Sequence, residues 1–397
     1  MSPIACIVGG SLGGLFAGHF LRLAGWQITI HERTEEPLSG RGAGIVTYPE
    51  LATMVHTCIG RKAALGILCE KRIVQDKTES IIAEKIYPQV MASWEWLFNI
   101  LFEALPPNAY HLGNNCIRAI DLGDSVELDF TSGEKIEADL AVFADGIYSE
   151  HRKLIDPYSK LEYAGYVAWR GIVEEKELSP SARAILRNHF AFALPHRQQL
   201  LTYPVARPQS EDRSINYVWY RPAPVKDVLK NWLLGKSGTQ YEEGIPPHEI
   251  RDTVINAIRI DAERDMPKAF SELVNKTERP LMQPIYDLAT SRMCKGRFLM
   301  IGDAAFSARP HVGMGVIKAA EDACLLGDRL ANLTISIEDS LAEWETARRK
   351  VGEFLVDRGR MLGSYLAGEH AEDPPGIIEI MSNSALRVTD IPDYPMT

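Results

Sequence analysis

The chain has 397 residues, 46% of them hydrophobic, and a formal net charge of −10. That length can bury a large core and exceeds one compact unit, so two intertwined domains are expected. The acidic balance argues against nucleic acid and against an anionic membrane surface as partners.

No apolar run approaches bilayer length, and the chain enters its first strand without a basic-then-apolar leader. Six scattered cysteines (Cys6, Cys58, Cys69, Cys116, Cys294 and Cys324) form no C-x-x-C pair, and no metal site is expected. Reduced thiols in a cytoplasmic protein are the expected state.

Residues 4–8 read as a buried strand that runs into Gly9-Gly10-Ser11-Leu12-Gly13-Gly14, then a helical pattern, then a strand at 28–30 ending in His31-Glu32-Arg33. This is a dinucleotide βαβ fingerprint with Ser11 in place of its middle glycine. Gly9 suits the tight turn and Gly14 the close helix–strand packing, while Ser11 and Leu12 fall at the pyrophosphate turn. Glu32 follows Gly14 by 18 residues (32 − 14), the place for a carboxylate on ribose hydroxyls. Arg33 reads as an adenine or phosphate contact, or as a solvated arginine.

Helices are expected at 50–66 and 93–105, with a hairpin from 72–74 and 80–86 between them. Short alternating strands at 116–120, 126–130 and 135–136 form a three-stranded meander. Another buried strand ends in Asp145-Gly146, with Ser149 placed to cap the next helix. From Tyr163 the texture changes. Aromatic alternating stretches at 163–173, 190–194, 200–205, 215–221 and 282–288 read as an antiparallel sheet with one covered face, with helices at 181–188, 225–234 and 248–262.

The most informative stretch is 297–315, RFLMIGDAAFSARPHVGMG. An apolar strand stops at Gly302-Asp303, and a Pro/Gly-rich loop opens into a helix. A carboxylate there can accept from a polyol hydroxyl, and the helix N-terminus favours an anionic or electron-rich group. That device suits a flavin. Residues 340–360 read as a surface helix with Arg348-Arg349-Lys350 on a solvated face, and the tail after Gly368 is either docked irregularly or loose.

Together the glycine fingerprint, Asp145-Gly146 and Gly302-Asp303 resemble the three motifs of the class A (single-component) flavoprotein aromatic hydroxylases, the p-hydroxybenzoate hydroxylase-like family. The resemblance covers roughly residues 3–367 and includes Gly42-Ala43-Gly44-Ile45 and Glu321-Asp322-Ala323. Residues 38–50 (LSGRGAGIVTYPE), 164–173 (AGYVAWRGIV) and Arg309-Pro310-His311 look most like its hydroxypyridine hydroxylases. Departures are Ser11 for glycine, Phe306 where many members have histidine, and Trp94 where many have arginine.

The resemblance implies an α/β fold, a Rossmann-like FAD-binding domain interwoven with an antiparallel-sheet substrate domain. The first would span 1–71, 93–160 and 289–366, the second 72–92 and 161–288, followed by a tail at 367–397. It implies non-covalent FAD held by Gly9, Ser11, Leu12, Gly14, Glu32, Arg33, Gly42, Cys116, Asp145, Asp303, Pro310, Gly313, Met314 and Gly315. NADH or NADPH would be co-substrate, with O2 and a small aromatic ring, and a C4a-hydroperoxyflavin as oxygen donor. A homodimer is compatible with it.

Such chemistry needs a dry cavity and a group that takes a proton. His311 and Tyr203 are the catalytic candidates, and His196 and Tyr217 the substrate candidates. Arg170 and Arg207 could hold an anionic substrate group, with surface salt bridges as the competing fate. Trp94-Glu95-Trp96 lacks the Ile-Pro that marks tryptophan halogenases and reads as helix packing or cavity lining. The competing function is a flavin-binding reductase or redox sensor without oxygenase turnover.

Overall fold

The computed structural model of the protein describes residues 2–36, 38, 44–206, 212–332, 334–366 and 375–395. Gly42 and Arg207 lie outside the described residues.

Short apolar runs build a six-stranded sheet in the order Cys294–Lys295, Phe298–Met300, Leu140–Phe143, Ile4–Val8, Gln27–His31, Tyr110–His111. Only Cys294–Lys295 runs antiparallel to its neighbour. Leu140–Phe143 and Phe298–Met300 are buried throughout, as central strands covered on both faces must be. Helices Leu12–Leu23 and Gly315–Leu330 pack together on this sheet and follow the strands that carry the glycine turn and Asp303. The meander forms as Cys116–Asp121, Val126–Phe130 and Lys135–Ala138.

A second, nine-stranded sheet runs Phe306–Ser307, Leu281–Ala289, Glu162–Glu174, Arg213–Pro222, Gln199–Ala206, His189–Ala193, Ile67–Gln75, Ile81–Ser93, Gly44–Thr47. It is antiparallel except where His189–Ala193 lies parallel to Ile67–Gln75. Both faces are covered, not one. Val167, Trp169, Tyr217 and Trp219 pack under helices Asp252–Asp265 and Lys268–Lys276. Tyr166, Ala168, Tyr203, Val218 and Tyr220 belong instead to the core shared with the first sheet. Alternate side chains on a strand point to opposite faces. Tyr217 is therefore on the helix side, and its expected substrate contact is corrected.

Other departures have local causes. The helix expected at 50–66 is Pro49–Ile59, stopped at Gly60 with φ 68°, a left-handed cap. Residues after Pro224 form a π-turn, Val225–Leu229, and a short helix, Lys230–Trp232. Helices Lys268–Lys276 and Ile377–Asn383 were not expected; Pro267 interrupts the pattern before the first, and a Pro/Asp/Glu-rich composition masks the second. In the long helix Ile337–Gly363, Arg348 is only 1% exposed. Its solvated reading is corrected: it follows Trp344 by one turn, so it shares the buried stripe and turns inward to Asp322.

Candidate active site

The strand Phe298–Met300 leads into a single 3-10 turn, Gly302–Ala304. Gly302 donates its N–H to Asp322 Oδ2 at 3.0 Å, and its carbonyl accepts from Lys318 Nζ at 3.0 Å. Lys318 and Asp322 pair at 2.9 Å, and Arg348 Nε donates to the other Asp322 oxygen at 2.7 Å. This buried network clamps the turn from behind and leaves Asp303 open on the opposite side. Asp303 has no hydrogen-bond partner among the described residues. The enclosing protein pushes its carboxyl up, and the Lys318 ammonium opposes that shift.

At the glycine turn, Gly9 has φ 102°, and a Cβ on Gly14 would stand 1.9 Å from the Gly9 carbonyl oxygen. Glu32 is 6% exposed and accepts from the N–H groups of Gly10 (2.9 Å) and Thr34 (3.1 Å). It braces the turn from the end of the second strand. Ser11 caps helix Leu12–Leu23 through its backbone only, so its hydroxyl is left for a ligand. Arg33 is exposed. Asp145 Oδ2 lies 2.8 Å from His151 Nδ1, and its other oxygen is buried without a partner among the described residues. Burial opposes charge on His151, yet Asp145 and Cys116 hold its pKa up to about 10.

A cavity of about 440 Å³ connects these parts. It runs from Ser11, Leu12 and Gly13 past Asp303, Pro310 and Gly313–Gly315 to the aromatic face of the large sheet. His311 lines it, 1% exposed, with Nε2 2.8 Å from the Tyr166 hydroxyl and its ring 4.3 Å from that of Tyr220. Its Nδ1 is buried without a partner among the described residues. Burial, aided by the Arg309 charge, pushes His311 down to about 3. A histidine by type alone titrates near neutrality, but this imidazole is neutral across the physiological range. Tyr203 also lines the cavity, edge-on to Phe190 at 5.3 Å; burial raises its phenol while Arg170 pulls the other way.

Arg170 lies between Val218 and Leu281 in strand register and lines the same cavity. It has no hydrogen bond or ion pair among the described residues, and its Nε is buried without an acceptor. The surface salt bridge weighed for it is corrected. His196 is exposed in the turn between strands His189–Ala193 and Gln199–Ala206 and does not line the cavity, so its substrate contact is corrected too. Trp94 lines the cavity and stacks on Phe98 at 5.0 Å; Trp96 Nε1 donates to the Ala64 carbonyl at 3.1 Å.

Sequence reasoning missed Tyr220, Lys318 and the tail residues Ser384 and Ala385. Alternation could have found Tyr220: strand register pairs Tyr203 with Asn216, so 216, 218 and 220 share its face. Nothing local marks the tail.

The residues present fit FAD. A glycine turn with an unused hydroxyl, an unpartnered carboxylate at Asp303 and open space over Gly315, where an added Cβ meets nothing within 4 Å, face one cavity. That volume lies in the range of small-molecule sites. Fold and site are those of an FAD-dependent monooxygenase, with NAD(P)H as the usual co-substrate of such enzymes, and they resemble the class A aromatic hydroxylases.

The comparisons agree. A family model described as FAD binding domain-like matches residues 163–287, on the large sheet. The 2,6-dihydroxypyridine 3-monooxygenase of Paenarthrobacter nicotinovorans is 29% identical over 92% of this chain and 93% of its own. The solved 2,6-dihydroxypyridine-3-hydroxylase from Arthrobacter nicotinovorans superposes with TM-score 0.87 at 26% identity, covering 96% of both chains. A Klebsiella pneumoniae protein solved with FAD and uric acid shares the fold, with TM-score 0.75 and 20% identity over 93% of this chain and 90% of that one. Among the described residues, no helix is long and apolar enough to cross a membrane.

Proposed function

We propose that the protein hydroxylates a ring-hydroxylated N-heteroaromatic compound, of the 2,6-dihydroxypyridine type and at C3, using NAD(P)H and O2. One observation carries the reading: a single cavity joins the Asp303 turn to an aromatic sheet face bearing an unpaired Arg170. The likeness to the 2,6-dihydroxypyridine enzymes supports the choice of ring.

In this reading Gly9, Ser11, Leu12 and Gly14 receive the pyrophosphate of non-covalent FAD. Glu32, Arg33 and Cys116 serve the adenosine half, Asp303 the ribityl chain, and Gly42 and Asp145 are further contacts to the cofactor. Pro310, Gly313, Met314 and Gly315 border the isoalloxazine. When bound and reduced by NAD(P)H, FAD supplies activated oxygen for the ring.

The chain's own side chains prepare the ring. An unpaired guanidinium in a partly desolvated site favours the anion of a ring hydroxyl, which makes the ring more electron-rich. Arg170 holds that oxygen, with Tyr203 as a donor beside it. His311 is too weakly basic to take the proton outright; its neutral imidazole, fixed by Tyr166, orients the ring or relays a proton. Buried aromatic walls exclude water. The free thiols accord with a cytoplasmic enzyme, and sedimentation distinguishes a homodimer from a monomer.

The test follows NADH and NADPH oxidation with and without 2,6-dihydroxypyridine, with labelled O2. Ring-stimulated oxidation with one labelled oxygen in the product is expected. Oxidation indifferent to every hydroxylated ring overturns the reading in favour of a reductase or sensor.

A further inference from the structure

Helix Ile377–Asn383 ends against the strand Ile67–Gln75, where Arg72 is wholly buried at 0% exposure. Arg72 Nη1 donates to the carbonyls of Met381 (2.8 Å) and Ser384 (2.6 Å), and Nη2 to that of Ala385 (2.8 Å). Gln89 accepts from Arg72 and donates to the same Ala385 carbonyl at 2.7 Å. The guanidinium lies between the rings of Tyr87 and Phe190, 4.3 and 5.3 Å from their centroids. No carboxylate forms an ion pair with it among the described residues. Carbonyls at the negative end of a helix take the place of a counter-ion. Without this segment the chain would bury an uncompensated cation, which is costly.

The same residues reach the cavity. Ala385 adopts φ 47°, a region that residues with a side chain seldom enter. Its N–H donates to the His311 carbonyl at 3.0 Å. Its Cβ lies on Gly313, where an added Cβ would come within 2.7 Å of it. Ser384 and Ala385 both line the cavity. A hydrogen-bonded chain thus runs from Arg72 through Ala385 to the loop that carries His311.

We propose that Ser384 and Ala385 form a wall of the reaction cavity, and that Arg72 is the positioning residue that sets this wall against the His311 loop and keeps water out. For its turnover readout the proposal rests on the function proposed above. In coupled turnover, NAD(P)H, H⁺, O2 and the ring give NAD(P)⁺, H2O and the hydroxylated ring. With water admitted, NAD(P)H, H⁺ and O2 give NAD(P)⁺ and H2O2.

Arg72→Met, Arg72→Lys and Gln89→Met are compared with the parent as full-length, FAD-loaded protein. Four readouts are taken: peroxide formed per NAD(P)H with 2,6-dihydroxypyridine present, acrylamide quenching of flavin fluorescence, FAD dissociation constant, and protease cleavage within residues 375–395. Arg72→Met is expected to raise the peroxide share severalfold, increase quenching and speed cleavage, with FAD affinity unchanged. Arg72→Lys, which keeps the charge at the helix end, should recover part of the coupling. Gln89→Met removes the amide that bonds both Arg72 and the Ala385 carbonyl while keeping the cation; a smaller rise in peroxide share and quenching is expected from it, and it carries the test if Arg72→Met fails to fold. Faster cleavage with the parent's peroxide share and quenching overturns the proposal, as does a peroxide share that rises only in step with lost FAD. If no hydroxylated ring stimulates the parent, the functional reading fails, and quenching with cleavage still decides the wall.

Discussion

Among the described residues, Asp303 and Arg170 are the two charged side chains that face the cavity without a partner, and each gives a direct prediction. A charged hydrogen bond is worth about 1.5–3 kcal/mol, or about one to two decades in dissociation constant. Asp303→Ala is expected to weaken FAD by that amount while the fold persists, read by flavin fluorescence titration; unchanged affinity in a folded variant would remove Asp303 from the site. Arg170→Gln is expected to raise the dissociation constant of an anionic hydroxypyridine by about the same factor. A neutral pyridine should be little affected. Equal losses for both ligands would mean that Arg170 shapes the cavity without pairing to charge. His311 teaches the converse lesson: its loop position is as expected, but burial strips it of the titration that residue type alone suggests.

Between elements, the tie that matters most is the one behind the flavin turn. Asp322 on helix Gly315–Leu330 joins Gly302, Lys318 and Arg348, which is on helix Ile337–Gly363. Asp322 itself is 0% exposed, and Lys318 and Arg348 hold its carboxyl low against the burial that would raise it. Removing one partner of a buried ionic network leaves uncompensated charge and costs about 3–5 kcal/mol. Asp322→Ala leaves Lys318 without its carboxylate, Arg348 with Glu321 alone and the Gly302 N–H unpaired, so a loss toward the lower end of that range is expected from urea unfolding at saturating FAD. A loss near zero would show that relaxation or water restores the missing acceptor. The register of the large sheet works at this scale too. It places Tyr203, Val218 and Tyr220 on the cavity face and sends Tyr217 to the helices.

For the molecule as a whole, the buried histidines add to the acid limb of stability, beside carboxylates held low such as Asp322. Burial lowers His19, His31 (to about 4) and His311 (to about 3) below their ordinary 6.5. Unfolding below pH 6.5 therefore takes up protons, so stability is full above that pH and falls as pH drops toward the depressed values. His151, raised to about 10, acts oppositely: its contribution is complete below 6.5 and fades as pH climbs toward 10. Urea midpoints at saturating FAD should thus peak near neutrality, and His311→Gln should flatten the acid side. An unchanged acid slope in that variant would show that His311 is protonated in the folded protein.

What the sequence alone determined was local. Apolar runs that end in glycine or aspartate define the parallel sheet, because a buried strand must be apolar and its end must turn. That is why the glycine turn, Asp145-Gly146 and Gly302-Asp303 were legible as strand ends on one edge of the sheet. Tertiary structure alone decided the aromatic side of the cavity. Whether Arg170 is solvated or enclosed, which face Tyr217 takes, whether Arg348 turns inward and where the tail docks all depend on contacts distant in the chain. Arg72 meets Met381, Ser384 and Ala385 across roughly three hundred residues, and no periodicity or spacing encodes such a contact. Charge and burial are properties of the assembled surroundings, so pairing and protonation appear only once the sheets and tail have closed around the cavity.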